Sequence, residues 1–184
     1  TVCTDIVQEE KGTLDKYIGD AVVAIYGAPL PVPDHSYRAC VATQRVQAGI
    51  EGLRQKWKSE EGKWPPVVHN LRARLGLNTG SAIIGNMGSR RRFNYTMMGD
   101  TVNLAARSES GAKSYGVYTM ITGETKALAE KHQADITYRF LDRIVVKGRS
   151  QPVEMYELVG FTNEVSPETA ECLALFQQGI AAYL

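Results

Sequence analysis

Residues 12–27 read GTLDKYIGDAVVAIYG, and this stretch decides the class of fold. Two runs of strand character, 13–17 and 21–27, flank the tight turn Ile18-Gly19-Asp20. β-Branched and aromatic side chains on either side of a Gly-Asp turn predict a hairpin. Further along, Leu71, Ala73, Leu75 and Leu77 alternate with Arg72, Arg74, Gly76 and Asn78, the period-two pattern of a half-buried strand. Thr79-Gly80-Ser81 then turns the chain toward a strand at 82–87, so 71–77 and 82–87 are expected to pair as a second hairpin. Hairpins in place of strict strand–helix alternation point to an α+β fold: a mixed, largely antiparallel sheet with packed helices.

The other segments fit that class. Residues 1–10 read as the last turns of a helix stopped at Gly12, an odd place for a domain to begin, so a longer parent protein is expected. Pro29, Pro31 and Pro33 hold a loop extended, and Asp34 suits the N-cap of a long helix. Ala39, Ala42, Val46, Ile50, Leu53 and Trp57 recur along that helix at spacings of three or four. A basic loop, Ser89-Arg90-Arg91-Arg92, precedes a strand at 95–98, a helix over 100–114 and a stop at Gly116. Strands at 117–121, 136–141, 144–147 and 153–158 surround a helix at 124–132. Ser166-Pro167-Glu168 opens a last amphipathic helix, with Leu173, Phe176 and Ile180 on one face. The domain organisation is read as 1–160 plus a C-terminal helical extension over 161–184.

Composition narrows the function classes. A hydrophobic share of 43% and a charged share of 22% over 184 residues are ordinary for one soluble domain. The net charge of +1 disfavours a nucleic-acid partner, and no apolar run reaches membrane-spanning length. Cys3, Cys40 and Cys172 are odd in number and widely spaced, which argues against a disulfide framework or zinc site and for a reducing, cytoplasmic setting. No Walker, dinucleotide-binding or Gly-x-Ser-x-Gly signature occurs.

Four small constellations carry charge at places where a ligand could meet it. Asp20 stands in a hairpin turn, where a carboxylate suits a hard cation with phosphate as co-ligand; alone, Gly-Asp reads better as turn chemistry. Asn103 and Arg107 are four residues apart near a helix N-terminus and share a face, suited to developing negative charge or simply solvated. Arg91 and its two arginine neighbours could clamp a polyphosphate or form a solvated run. Lys147, before Gly148, could reach a phosphate as a point charge.

Their order along the chain is informative. GTLDKYIGDAVVAIYGAP, LRARLGLNTGSAIIGNMGS, FNYTMMGDTVNLAARSE and VVKG followed by PVEMYEL resemble the catalytic domain of class III adenylate/guanylate cyclases, over about residues 4–160, in a version similar to bacterial cyclases that follow CHASE2 sensor regions. The resemblance implies a ferredoxin-like core, conversion of ATP to cyclic AMP and pyrophosphate, and a head-to-tail homodimer whose sites draw on both chains. Lys16 matches the lysine that reads the base, and Thr96 stands where many relatives carry a second base-reading aspartate. Asp20 matches a metal-binding aspartate for one of two Mg2+ or Mn2+ ions, Asn103 and Arg107 the ribose and transition-state pair, and Lys147 and Arg91 phosphate ligands. Lys16 donates only, which suits N1 of adenine; Thr96 as a free hydroxyl can accept from N6 or donate, so the lysine carries more of the assignment to ATP.

One departure stands out. The family's other metal aspartate lies well upstream of the Lys-Tyr-Ile-Gly-Asp stretch. Asp5 is too close to Asp20 for that role and fits the end of a helix better. The segment as given is therefore expected to have an incomplete metal site and sheet. A catalytically silent cyclase-like module and a guanylate cyclase are the alternatives. The parent is read as cytoplasmic in its catalytic part, with a membrane tether elsewhere left open.

Overall fold

The computed structural model describes residues 2–145 and 151–183. Helix α1 (Val2–Glu9) carries Asp5, as the sequence led us to expect. Its stop falls one residue before the expected Gly12: Lys11 takes the left-handed conformation at φ 62°, and Gly12 already opens strand β1 (Gly12–Ile18). β1 pairs antiparallel with β2 (Ala21–Tyr26) around the two-residue turn Gly19–Asp20.

Helix α2 (His35–Ser59) is the scaffold. Ala39, Ala42, Val46 and Ile50 of its apolar stripe are buried, whereas Leu53 and Trp57 are only half-buried, Trp57 meeting the Trp64 ring at 5.8 Å. Asp34 does not cap the helix through its side chain; it pairs with Arg38 at 2.9 Å, one turn on. The α2 stripe packs on Ile6 of α1, which places the β1–β2 hairpin beside the helix pair.

The expected pairing of 71–77 with 82–87 is not what forms. Only β3 (Leu75–Leu77) is strand in the first segment, and it runs parallel to β6 (Thr119–Thr122), Leu75 opposite Thr119. β4 (Ile83–Ser89) pairs instead with β5 (Arg92–Met98), Ser89 opposite Arg92, so the basic loop shrinks to the two-residue turn Arg90–Arg91. Alternation fixes which face a strand buries, not which strand lies beside it. The face of β3 is taken by helix α3 (Asp100–Gly111), whose backbone lies directly on Gly76: a Cβ there would stand 2.2 Å from the Glu109 amide nitrogen and 2.4 Å from the Ala105 carbonyl.

The strand expected at 136–141 runs on to Ile144 as β7 (Ile136–Ile144), paired antiparallel with β8 (Val153–Phe161); of the strand expected at 144–147, residues 146 and 147 lie outside the described residues. The four-stranded sheet runs β3-β6-β8-β7, with one parallel and two antiparallel neighbour pairs, and the β1–β2 and β4–β5 hairpins stand as separate ribbons. Helix α4 (Gly123–Glu130) joins α2 over the sheet, closing a core of Cys40, Ile121, Ala129, Ile136 and Leu158. Met120 and Met155 pack with Ala112 and Val117 beyond α3. Full burial of each large apolar side chain contributes roughly 1.5–3 kcal/mol, which fixes α3 and β6 as the rigid platform. Helix α5 (Pro167–Tyr183) is capped by Ser166, whose hydroxyl accepts the Thr169 N–H at 3.2 Å, and it touches the sheet through the Phe176 ring under the Arg139 guanidinium.

Candidate active site

Lys16 on β1 and Thr96 on β5 are 80 residues apart in sequence and meet: Lys16 Nζ donates to Thr96 Oγ1 at 2.8 Å. The Thr96 hydroxyl in turn donates to Asp15 Oδ2 at 2.9 Å. Lys16 Nζ lies 3.5 Å from the same carboxylate oxygen, closing a triangle. Neighbours on a regular strand point to opposite faces. Here the register slips between Leu14 and Lys16, which face Ala24 and Val23, so Asp15 is an extra residue in a β-bulge. A bulge re-aims side chains, and this one lets Asp15 and Lys16 converge on one hydroxyl.

Asp15 is the residue that sequence reading missed. Its side chain is only 2% exposed, against 43% for Lys16, and its Oδ1 has no hydrogen-bond partner among the described residues. In the sequence it is one more acid beside a lysine, and such pairs are usually solvated. An acid directly before Lys16, in the same short run that ends at Asp20, was the available signal. Beside the triangle lies an open hollow of about 570 Å³, lined by Asp15, Lys16, Asn86, Phe93, Asn94 and Tyr95 among others.

Thr96 is linked to Asn103 by one junction. Gly99, at φ 142°, ends β5 and lets α3 begin at Asp100; the Gly99 carbonyl accepts the N–H groups of Val102 and Asn103. Asn103 and Arg107 are both exposed and, four residues apart on α3, lie on one face near its positive end. The hairpin tips are different. Asp20 is exposed at the β1–β2 turn, about 10 Å beyond Lys16 by strand rise. Arg91 is exposed at the β4–β5 turn, roughly 16 Å from Thr96 by the same measure. The fold thus gathers Lys16 and Thr96, sets Asn103 and Arg107 on the next element, and leaves Asp20 and Arg91 outside the triangle. Lys147 lies outside the described residues.

The donor set bears on a metal. Among the described residues no three His, Cys, Asp or Glu side chains are grouped to hold an ion. One exposed carboxylate on a rigid turn fits a hard cation that keeps most of its water and takes phosphate oxygens as ligands. Asp20 thus suits a cation arriving with a polyphosphate, and it does not make a resident metal centre by itself.

Comparison with known proteins gives these features a context. The chain is 30% identical over 167 residues to Adenylate cyclase 1 of Rhizobium meliloti (strain 1021), covering 91% of this chain and 24% of that protein. It is 31% identical over 179 residues to the terminal-differentiation-specific adenylate cyclase of Dictyostelium discoideum, covering 96% of this chain and 8% of that protein. The chain therefore spans a quarter or less of the length of these relatives. Among solved structures, the adenylyl cyclase CyaB from P. aeruginosa superposes with a TM-score of 0.73 at 30% identity, over 89% of this chain and 80% of that one. The guanylyl cyclase Cya2 superposes with a TM-score of 0.65 at 25% identity, over 86% of this chain and 75% of that one. Residues 3–160, from α1 to near the end of β8, match the sequence profile of the adenylate and guanylate cyclase catalytic domain, and it is to this family that the chain belongs.

Proposed function

We infer that this chain is the catalytic domain of an adenylate cyclase, converting ATP to 3′,5′-cyclic AMP and pyrophosphate. The contact between Lys16 and Thr96 carries the reading. Two residues that the sequence nominates for the base meet at 2.8 Å on different strands, beside an open hollow. Lys16 donates to N1 of adenine, and Thr96 stands beside it for N6.

The reaction forms one P–O bond and breaks another. The ribose 3′-oxygen attacks the α-phosphorus, pyrophosphate departs with the bridging oxygen, and the hydroxyl proton passes to solvent. Asn103 holds the ribose, and Arg107 neutralises charge as it grows on the α-phosphate, a preorganised contribution of about 2.7–4 kcal/mol for such a donor. Lys147 and Arg91 bind the β- and γ-phosphates. Mg2+ or Mn2+, two per site, would be held by Asp20 together with phosphate oxygens and a further carboxylate that the described residues do not group with it; such ions acidify the 3′-hydroxyl and offset phosphate charge.

Following the family resemblance, we read the working unit as a head-to-tail homodimer in which Asp20 and Arg91, on the hairpin tips, serve a site shared with the partner chain. Ile18 and Phe93, 62% and 63% exposed on the two ribbons, supply apolar surface for that contact. In this reading 1–160 is the catalytic domain and 161–184 a helical extension. Among the described residues no helix is long and apolar enough to cross a membrane.

The test is an assay of the purified full-length protein with ATP and with GTP under Mn2+. Cyclic AMP in clear excess over cyclic GMP is expected. Cyclic GMP in excess overturns the choice of base, and no product from either nucleotide favours a silent dimerisation module.

A further inference from the structure

We propose that Asp15 is a positioning residue that sets purine selectivity by fixing the polarity of the Thr96 hydroxyl. The inference rests on the base-reading role given above to Lys16 and Thr96. A lone threonine hydroxyl discriminates poorly, because it donates to an acceptor as readily as it accepts from a donor. In this chain it has no such freedom. Its single proton is committed to Asp15 Oδ2 at 2.9 Å, and one lone pair is taken by Lys16 Nζ at 2.8 Å. What remains is a lone pair, so Thr96 presents an acceptor only.

That polarity selects between the bases. Adenine offers the N6 amino group, a donor, and is accepted. Guanine offers O6, an acceptor, and faces an oxygen that has no proton to give. The ammonium of Lys16 can serve N1 of adenine or O6 of guanine, so it does not separate the two on its own. On this proposal the oriented Thr96 hydroxyl carries the discrimination between the two purines.

Asp15 is built for this task. The β-bulge spends an extra residue to bring its side chain to Thr96, whose own exposure of 9% leaves the hydroxyl little water to donate to instead. Its Oδ1, buried and without a hydrogen-bond partner among the described residues, leaves Oδ2 as the oxygen engaged by both neighbours. A side chain needed only to balance the charge of Lys16 would have no reason to take the hydroxyl proton.

The experiment measures affinity of the full-length protein for the α,β-methylene analogues of ATP and GTP by calorimetry, alongside melting temperature. Asp15→Asn, nearly isosteric, can offer Thr96 either an acceptor or a donor. It is expected to lower the ratio of ATP-analogue to GTP-analogue affinity about tenfold, at the upper end of what one net hydrogen bond contributes. Asp15→Asn combined with Thr96→Asp supplies an acceptor that needs no orienting and is expected to restore the ratio. Should Asp15→Asn fold poorly, Asp15→Ala carries the same test, since it frees the Thr96 proton while leaving the hydroxyl in place, and it must lower the ratio by a similar factor. An unchanged ratio, with both affinities and the melting temperature falling together, marks a purely structural role and overturns the inference. A wild-type protein that binds neither analogue, or both equally, sinks the base-reading function and this inference together. A wild-type preference for the ATP analogue that survives Asp15→Asn sinks this inference alone.

Discussion

Lys16 and Arg91 are both cations on β-ribbons, yet they are held in different ways. Lys16 lies within its strand, half-exposed, tied to a buried carboxylate and to a hydroxyl from another ribbon. Arg91 stands on a two-residue turn, exposed, its backbone N–H bonded to Ser89 Oγ at 3.3 Å. Asp15 and Asp20 repeat the contrast among acids, one 2% exposed and the other on a turn in solvent. Groups that read donor and acceptor patterns must be oriented before the ligand arrives. Groups that meet diffuse phosphate charge need only be near it. The first kind is costly to disturb in the free protein, whereas the second leaves the fold indifferent.

The contrast can be broken at several points. The largest effect is expected at α3, outside both groups: Arg107→Ala should lower kcat ~10²–10³-fold while KM for ATP moves little. Steady-state kinetics on the full-length protein checks this, and a loss confined to KM would move Arg107 from the transition state to ground-state binding. Next comes the tip. Asp20→Asn should lower activity at least ~10²-fold, as expected for losing a metal-binding carboxylate, with no change in melting temperature beyond a degree or so. A large drop in melting temperature would place Asp20 with the knitted residues.

Gly76→Ala should destabilise by about 1–3 kcal/mol, because the added carbon collides with helix backbone that cannot step aside. Denaturant unfolding measures it, and a neutral result would mean α3 is not seated on β3. Lys16→Met should also destabilise, by about 1–3 kcal/mol, since it strips the buried Asp15 carboxylate of its cation. Weaker ATP binding should accompany it. Equal stability would show that Thr96 alone satisfies Asp15. The smallest effect concerns the core. Burial pushes the Cys40 thiol up to about 12, so alkylation of the native protein at neutral pH should label the exposed Cys172 and spare Cys40. Peptide mass mapping reads the outcome.

Local patterns made part of this fold legible. The turn between two apolar runs announced the β1–β2 hairpin, and the stripe from Ala39 to Ile50 announced the buried face of α2. Partner choice was not legible. The strand expected at 71–77 forms at Leu75–Leu77, all three half-buried, but the strand beside it comes from more than forty residues downstream, and no local signal carries that information. The site divides along the same line. Lys16, Thr96, Asn103 and Arg107 could be nominated because they sit in recognisable runs. Asp15 could not, since its role depends on a bulge that adds one residue to a ladder and on burial by another ribbon. The committed proton of Thr96 was hidden for the same reason.

Gly99 has a mechanical implication. Seven positions separate Thr96 from Asn103, and the single unusual backbone conformation between them is that of Gly99. One residue therefore sets the angle between the strand that carries Thr96 and the rigid helix that carries Asn103 and Arg107. On the function proposed above, the register between base and ribose is fixed at that junction. Redesigning this protein for another nucleobase by changing position 96 alone should therefore lose turnover as well as affinity. Compensating substitutions are to be sought at the pivot and in the seat of α3 on Gly76.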